Sequence, residues 1–335
     1  MTTADRSATA GLRGIAGETG TADAAGTDGL TTGGLGTAGF VGLGNMGEPM
    51  VRRLAAAGRT VRAYDVAQLA RDRLAGTAGV TVVPALAEVA SGADVVILML
   101  PDSAAVEQVL LGAADDGSGL LGVVRPPTVV VDMSSSEPAR TRALAERAAR
   151  AGLTLIDAPV SGGVLGARNG SLTIMAGGPP QVLAALHPLL EALGSNIVHA
   201  GPIPGSGHAI KALNNLMSAA HLLVSSEAIL AGQAFGLDPQ VMLDIVNSSS
   251  GRSGSTQLKW PRYILPATFD SGFSMTFMVK DMKIALQLAR ETGVPAPLSR
   301  AAVQAWASAA TTMPGADHTE ISRWLEQTGI SQLRG

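Results

Sequence analysis

Residues 39–50 read GFVGLGNMGEPM, and the fold is decided there. Gly42, Leu43, Gly44, Asn45, Met46 and Gly47 have the spacing G-x-G-x-x-G, a weak signal by itself in a chain with 41 glycines. The same spacing recurs at 34–39, within a stretch read as a tail, and at 117–122, just before Val123-Val124-Arg125-Pro126-Pro127, which cannot open a helix. Context singles out the match at Gly42. It follows the strand-like start Phe40-Val41 and opens an amphipathic segment that Gly58 stops. Backbone amides at such a helix start hold a pyrophosphate, and Gly44 leaves room for it to come close.

Outward from this turn, short β-branched runs alternate with Ala/Leu/Arg segments. The strands are read at 40–43, 60–64, 95–100, 128–132 and 153–156, with helices near 46–57, 68–75, 103–111 and 137–151 between them. That alternation predicts an α/β, Rossmann-type doubly wound parallel sheet. Two further strands, 171–176 and 196–199, bracket a helix near 180–193 and close the first unit, placed at 39–203. Past the Gly/Pro cluster 201–207 no strand signal remains. A long interdomain helix over about 206–234, apolar on most faces and therefore expected to be buried, leads into helices near 238–248, 276–293, 297–312 and 318–328. The second unit, 204–335, is thus predicted all-α, with an aliphatic and Met-based core because aromatics are only 3% of residues. Residues 1–38 are Gly/Ala/Thr-rich without periodicity, which predicts a disordered tail with neither a signal-peptide core nor an Arg-rich leader.

Composition narrows the function. A net charge of −3 without a basic stripe argues against nucleic acid. The longest apolar run, 95–100, falls far short of the roughly 20 residues that cross a bilayer, so a soluble, cytoplasmic protein is expected. Absent cysteines fit a reducing compartment, and five scattered histidines show no metal-ligand spacing, so no metal is expected.

Two side chains then carry chemistry. Asp65 stands 18 residues after Gly47 at the end of the second strand, where a carboxylate accepts from both ribose hydroxyls of NAD and repels a 2′-phosphate. NAD is favoured, with NADP kept open by Arg62 and Arg71 nearby. Lys211 is one of four lysines in a chain that otherwise uses arginine, and a desolvated lysine, unlike arginine, can give up its proton. Asn215 lies one turn later on the same stripe. The competing readings are a solvated strand-end Asp65 and a surface lysine snorkelling from an apolar helix. His208, one turn before Lys211, is the nearest rival base and is assigned a packing or rim role.

Six motifs in order, GFVGLGNMGEPM (39–50), Leu100-Pro101, DMSSSEP (132–138), DAPVSGGVLGARNGSLTIMAGG (157–178), GSGHAIKALNN (205–215) and KDM (280–282), make the chain resemble the β-hydroxyacid dehydrogenases, from residue 39 to about 326. The family includes 3-hydroxyisobutyrate dehydrogenase and tartronate semialdehyde reductase. The resemblance implies that Leu100, Pro101, Ser135 (where the family usually has Thr) and Lys280 line the cofactor cleft, although Lys280 and Asp281 also read as a surface ion pair. It implies that Ser161, Gly162 and Gly163 cradle a substrate carboxylate, Lys211 is the general acid/base and Asn215 orients the substrate. An ordinary Ser-Gly-Gly turn is the alternative for the cradle.

The implied reaction interconverts a small 3-hydroxy acid and its semialdehyde or keto acid, with Lys211 taking the hydroxyl proton as hydride leaves for the nicotinamide. An imine reductase, or a non-catalytic dinucleotide-binding scaffold, is the competing function, and Lys211 weighs against both. Substrate side-chain selection is expected from a loop at 248–259, where Arg252 either holds a second anionic group or is solvated. The surplus apolar surface of the long helix predicts a homodimer or homotetramer.

Overall fold

The structure, a computed structural model, describes residues 36–112 and 118–333. The expected tail lies outside the described residues up to position 35. The first strand already begins at Thr37, so Thr37 and Ala38 belong to the sheet rather than to a tail.

Six strands run parallel in the order β3-β2-β1-β4-β5-β6: β1 Thr37–Val41, β2 Thr60–Tyr64, β3 Val80–Val82, β4 Val95–Leu98, β5 Val129–Asp132 and β6 Thr154–Asp157. Three more complete the sheet: β7 Val160–Ser161, β8 Thr173–Gly177 and β9 Asn196–Gly201. β8 pairs antiparallel with β6 and β7 in one register and parallel with β9. The sequence periodicity missed β3 and β7 because at three and two residues they are too short to show one.

The helices α1 Gly47–Ala56, α2 Gln68–Asp72, α3 Ser103–Leu111, α4 Pro138–Arg150, α5 Gly163–Asn169 and α6 Pro180–Leu190 connect these strands. Each start has a local cause where one is visible. Asp102 accepts from the Ala105 amide at 2.9 Å to cap α3, and proline in the first turn opens α4 and α6. β4 and β5 are buried on both faces, as strands covered by helices must be. Phe40, Ile97, Val131 and Ile156 pack one face against Met50, Leu54 and Leu186; Val96, Leu98 and Val130 pack the other against Val106, Leu110 and Leu144.

The rest is helical: α7 Ser206–Phe235, α8 Pro239–Asn247, a π-helix Ser255–Ile264, α9 Met275–Glu291, α10 Pro297–Thr312 and α11 Ile321–Leu333. Its core joins Leu216, Ala219 and Leu222 of α7 to Met275, Met278 and Met282 of α9, as an aliphatic and Met-based core should. Trp260 and Trp306 are also buried in it, so the few aromatics concentrate here.

Two expectations are corrected. α7 is buried along one stripe only, while Ile210, Leu213, Met217 and Val224 form a second apolar stripe exposed in the single chain. The supposed loop at 248–259 mostly ends in the π-helix, where Pro261 supplies no amide and Leu265 reaches back five residues to the Trp260 carbonyl at 2.9 Å.

Candidate active site

β1 hands the chain to α1 through Gly42 at φ 99°. A Cβ at Gly42 would sit 2.2 Å from the Met99 carbonyl oxygen, and one at Gly47 would sit 1.8 Å from the carbonyl oxygen of Gly42. Glycine is obligatory at both. Around Gly44, by contrast, nothing lies within 4 Å. Its missing side chain therefore leaves open space in front of the α1 amides, the room a pyrophosphate needs.

That space belongs to a cleft of 840 Å³ lined by Gly42, Gly44, Asn45, Met46, Gly47, Asp65, Leu100, Pro101, Ser135 and Lys280. A dinucleotide fits this donor set and size. Leu43 is the exception among the motif residues: its side chain is fully buried and only its amide contributes, donating to Asp65 Oδ2 at 2.7 Å. Asp65 Oδ1 takes the Ala67 amide at 2.8 Å, which fixes the carboxylate at the end of β2. Arg62 and Arg71 are engaged elsewhere: Arg62 Nε donates to the Glu88 carbonyl at 2.7 Å, and Arg71 donates to the backbone carbonyl of Asp65.

α7 is anchored on the sheet by a remote cap. Asp157, at the end of β6, accepts from the amides of Gly205 at 2.6 Å and His208 at 2.7 Å, neutralising the positive end of the helix. Burial raises the Asp157 pKa, while His208 and these amides act against that rise. Both His208 ring nitrogens are occupied, Nδ1 against Thr141 Oγ1 at 2.8 Å and Nε2 against the Ser134 carbonyl at 3.1 Å, which holds the ring inside the anchor.

One turn further, Lys211 is 8% exposed. Among the described residues its ammonium has no hydrogen-bond partner and no ion pair. Burial drives its pKa below the ordinary lysine value; the Asp281 charge opposes that shift and Lys280 adds to it. Asn215, on the same stripe, donates Nδ2 to Asp281 Oδ2 at 2.6 Å. Asp281 Oδ1 is buried without a hydrogen bond and lies 3.5 Å from Lys280 Nζ. Lys280 reaches across the cleft to the carbonyl oxygens of Pro101 and Ser135, 2.8 Å each, tying α9 to the strand ends. The pair read as superficial is thus half interior, since Asp281 is 1% exposed.

Ser161 ends β7, and Gly162 (φ 126°) and Gly163 (φ 62°) turn the chain into α5. Two successive positive φ values expose backbone amides in a way side-chain-bearing residues rarely allow. Gly163 lines the cleft, and a Cβ there would meet the Ser271 carbonyl oxygen at 3.9 Å; Ser161 and Gly162 do not line it.

The cleft therefore gathers most of the expected cofactor residues together with Gly163. Lys211 and Asn215 do not line it directly; they adjoin it through Asp281, which does. Sequence reasoning missed Asp281 as the link. The signal was its place in KDM, but nothing in the spacing set it apart from an exposed ion pair. Arg252 is exposed on the turn before the π-helix, whereas Lys259, on the π-helix itself, is partly buried and donates to Ser218 Oγ at 2.7 Å. Among the described residues no group of three or more metal-ligating side chains occurs, and no helix is long and apolar enough to cross a membrane.

Comparison with known proteins gives the same assignment. Residues 37–201 match the family described as the NAD binding domain of 6-phosphogluconate dehydrogenase, and 205–325 the one described as NAD-binding of NADP-dependent 3-hydroxyisobutyrate dehydrogenase. A 2-(hydroxymethyl)glutarate dehydrogenase of Eubacterium barkeri is 36% identical over 304 residues, covering 89% of this chain and 97% of that protein. A 3-hydroxyisobutyrate dehydrogenase of Pseudomonas aeruginosa is 40% identical over 265 residues, 77% of this chain and 87% of that one. The solved structure of Mycobacterium tuberculosis 3-hydroxyisobutyrate dehydrogenase with L-serine superposes at TM-score 0.80 and 31% identity, covering 87% and 99% of the two chains. Imine reductase structures match at 16 to 21% identity and share the fold alone. With a dinucleotide cleft, a buried lysine beside it and relatives of this similarity along both halves, the chain belongs to the β-hydroxyacid dehydrogenase family and is an NAD(P)-dependent oxidoreductase acting on a CH–OH group.

Proposed function

We propose that the enzyme interconverts a small 3-hydroxy acid and the matching semialdehyde or keto acid, with Lys211 moving the hydroxyl proton. The observation that carries this reading is the burial of Lys211 without a hydrogen-bond or ion-pair partner among the described residues, one turn from Asn215 and beside the dinucleotide cleft. A bound nicotinamide supplies the hydride chemistry. The substrate carboxylate rests on Ser161, Gly162 and Gly163, whose hydroxyl and amides suit an anion. The hydroxyl faces Lys211. Burial favours the neutral amine, which takes the hydroxyl proton in oxidation; in reduction the ammonium returns it to the forming alkoxide. Asn215, held by Asp281, orients the hydroxyl, so its amide is fixed before substrate arrives.

The Eubacterium and Pseudomonas relatives are named for 2-(hydroxymethyl)glutarate and 3-hydroxyisobutyrate, both primary alcohols placed β to a carboxylate, and that chemistry is assigned here. NAD is the preferred nucleotide, supported by Asp65 at the ribose position and by Arg62 and Arg71 being tied to backbone carbonyls. The domain boundary is put at 203/204, with the glycine turn and Asp65 that hold the nucleotide before it and Lys211 and Asn215 after it. The exposed stripe Ile210, Leu213, Met217 and Val224 supports a homodimer or homotetramer, and a chain without cysteine suits the cytoplasm. A monomer by light scattering would contradict the assembly.

Turnover of 3-hydroxyisobutyrate and 2-(hydroxymethyl)glutarate with NAD or NADP, of tartronate semialdehyde with NADH, and of cyclic imines with NADH or NADPH tests the reading. Hydroxy-acid oxidation without imine reduction is expected. Imine reduction alone would overturn the assignment, and tighter binding of NADPH than NADH would overturn the nucleotide choice.

A further inference from the structure

Lys211 lies on α7, and Lys280 on α9 and Lys259 on the π-helix lie on helices packed against it. Lys211 and Lys280 repel one another electrostatically around Asp281, and Lys259 and Lys211 do the same from the π-helix and α7. Lys280 is anchored on two carbonyls and beside Asp281. Lys211 and Lys259 are not compensated in this way: the salt bridges of the described residues include none to either.

The position of Lys259 is defined by Ser218. Lys211, Asn215 and Ser218 are spaced i, i+4, i+7 and share one stripe of α7, with Ser218 about 10 Å along the axis from Lys211. Lys259 Nζ donates to Ser218 Oγ at 2.7 Å, so its ammonium sits at the far end of the stripe that carries the reacting groups. The carboxylate whose charge reaches it, Asp317, forms no salt bridge with it and is held by neighbours of its own. Asp317 accepts from Ser271 Oγ at 2.7 and 2.8 Å, from the Gly272 amide at 2.9 Å, and from the Thr319 amide at 2.9 Å and its hydroxyl at 2.6 Å. Those contacts also hold Ser271 beside Gly163, with its carbonyl oxygen 3.9 Å from where a Cβ of Gly163 would sit. A half-buried ammonium such as Lys259, held by a hydroxyl but, among the described residues, by no ion pair, costs stability that an anionic ligand offsets. The cradle at Ser161 to Gly163 meets its carboxylate with a hydroxyl and amides, so Lys259 is left to meet a second one.

We propose that Lys259 is a second anion-binding group of the substrate site, and that the hydroxy acid taken by this enzyme carries a second carboxylate on the arm running past Asn215 toward Ser218. This rests on the dehydrogenase reading above and names its substrate class. Lys259 thereby does the work that the sequence offered to Arg252.

The test uses a matched pair of probes. 3-Hydroxyisobutyrate and 2-(hydroxymethyl)glutarate share the hydroxymethyl acid and differ in the arm, a methyl in one and a carboxyethyl group in the other. Wild-type kcat/KM should favour the dicarboxylate by about tenfold or more, the worth of one charge-assisted contact. In Lys259→Met that ratio should fall by about tenfold or more, carried mostly by KM, and Lys259→Arg should retain part of it. NADH binding measured on each variant reports that it is folded. A smaller wild-type preference, or a ratio in Lys259→Met that falls less than this, overturns the proposal. Turnover of the monocarboxylate without the dicarboxylate overturns it and leaves the dehydrogenase standing; turnover of neither overturns both.

Discussion

Asn215 on α7 donates its amide to Asp281 on α9 at 2.6 Å, and this contact ties α7 to a residue that lines the nucleotide cleft. The same carboxylate raises the Lys211 pKa against the burial that lowers it. On the proposed mechanism Asp281 is a positioning residue for Asn215 and Lys211, orienting the first and tuning the charge of the second. Asp281→Asn should lower kcat by about 10- to 100-fold, as loss of a supporting partner does, with a smaller change in NADH affinity. A merely structural role would not move the pH profile. Loss of the Asp281 charge should shift the Lys211 limb of the oxidation profile to lower pH, and an unshifted limb would remove Asp281 from this role.

Lys211 also has a stability signature. Its folded pKa lies below the unfolded value of about 10.5, so between the two the unfolded chain binds more protons and stability rises with pH. Lys211→Met removes that burden. Its Tm by calorimetry should exceed that of wild type at neutral pH, corresponding to about 1–3 kcal/mol, and the gap should close as pH approaches 10.5. A variant less stable than wild type at neutral pH would contradict a desolvated lysine.

The glycine turn separates folding from binding. Gly47→Ala places a methyl 1.8 Å from a backbone oxygen and should cost about 2 kcal/mol or more in denaturant unfolding. Gly44→Ala meets nothing within 4 Å, so its midpoint should match wild type while NADH affinity falls at least about tenfold. Unchanged affinity would place the pyrophosphate elsewhere.

In its proposed role Lys259 should give substrate affinity a pH dependence. Burial first, then the Lys211 charge, lower its pKa to about 8 against the pull of Asp317. The groups facing it are Lys211 from α7 and Asp317 and His318 from the turn before α11. A lysine holds its charge below its pKa, so KM for 2-(hydroxymethyl)glutarate should rise as pH passes about 8, and Lys259→Met should flatten that rise.

Much of this was legible in the chain. The strand at 128–132 announced itself by a β-branched run because it is buried on both faces, the strand at 60–64 is buried only at alternate residues, and the turn at 42–47 stood out because two of its glycines touch backbone. The π-helix was not legible. It contains Pro261, and its Ser/Gly-rich approach reads as loop. Nor could spacing reveal that Lys259 turns inward while Arg252 turns out, or that Asp281 faces Asn215 sixty-six residues away in the chain. Such pairings are set by tertiary packing and leave no periodic trace.

The central claim is that Lys211 moves the proton, and oxidation of the preferred hydroxy acid by wild type, Lys211→Met and Lys211→Arg tests it most directly, with NADH affinity measured alongside. Both variants should keep NADH affinity within about threefold and lose about 10²- to 10⁴-fold in kcat, arginine failing because it holds its proton. Near-normal turnover in either variant, with the cofactor bound, would contradict the account.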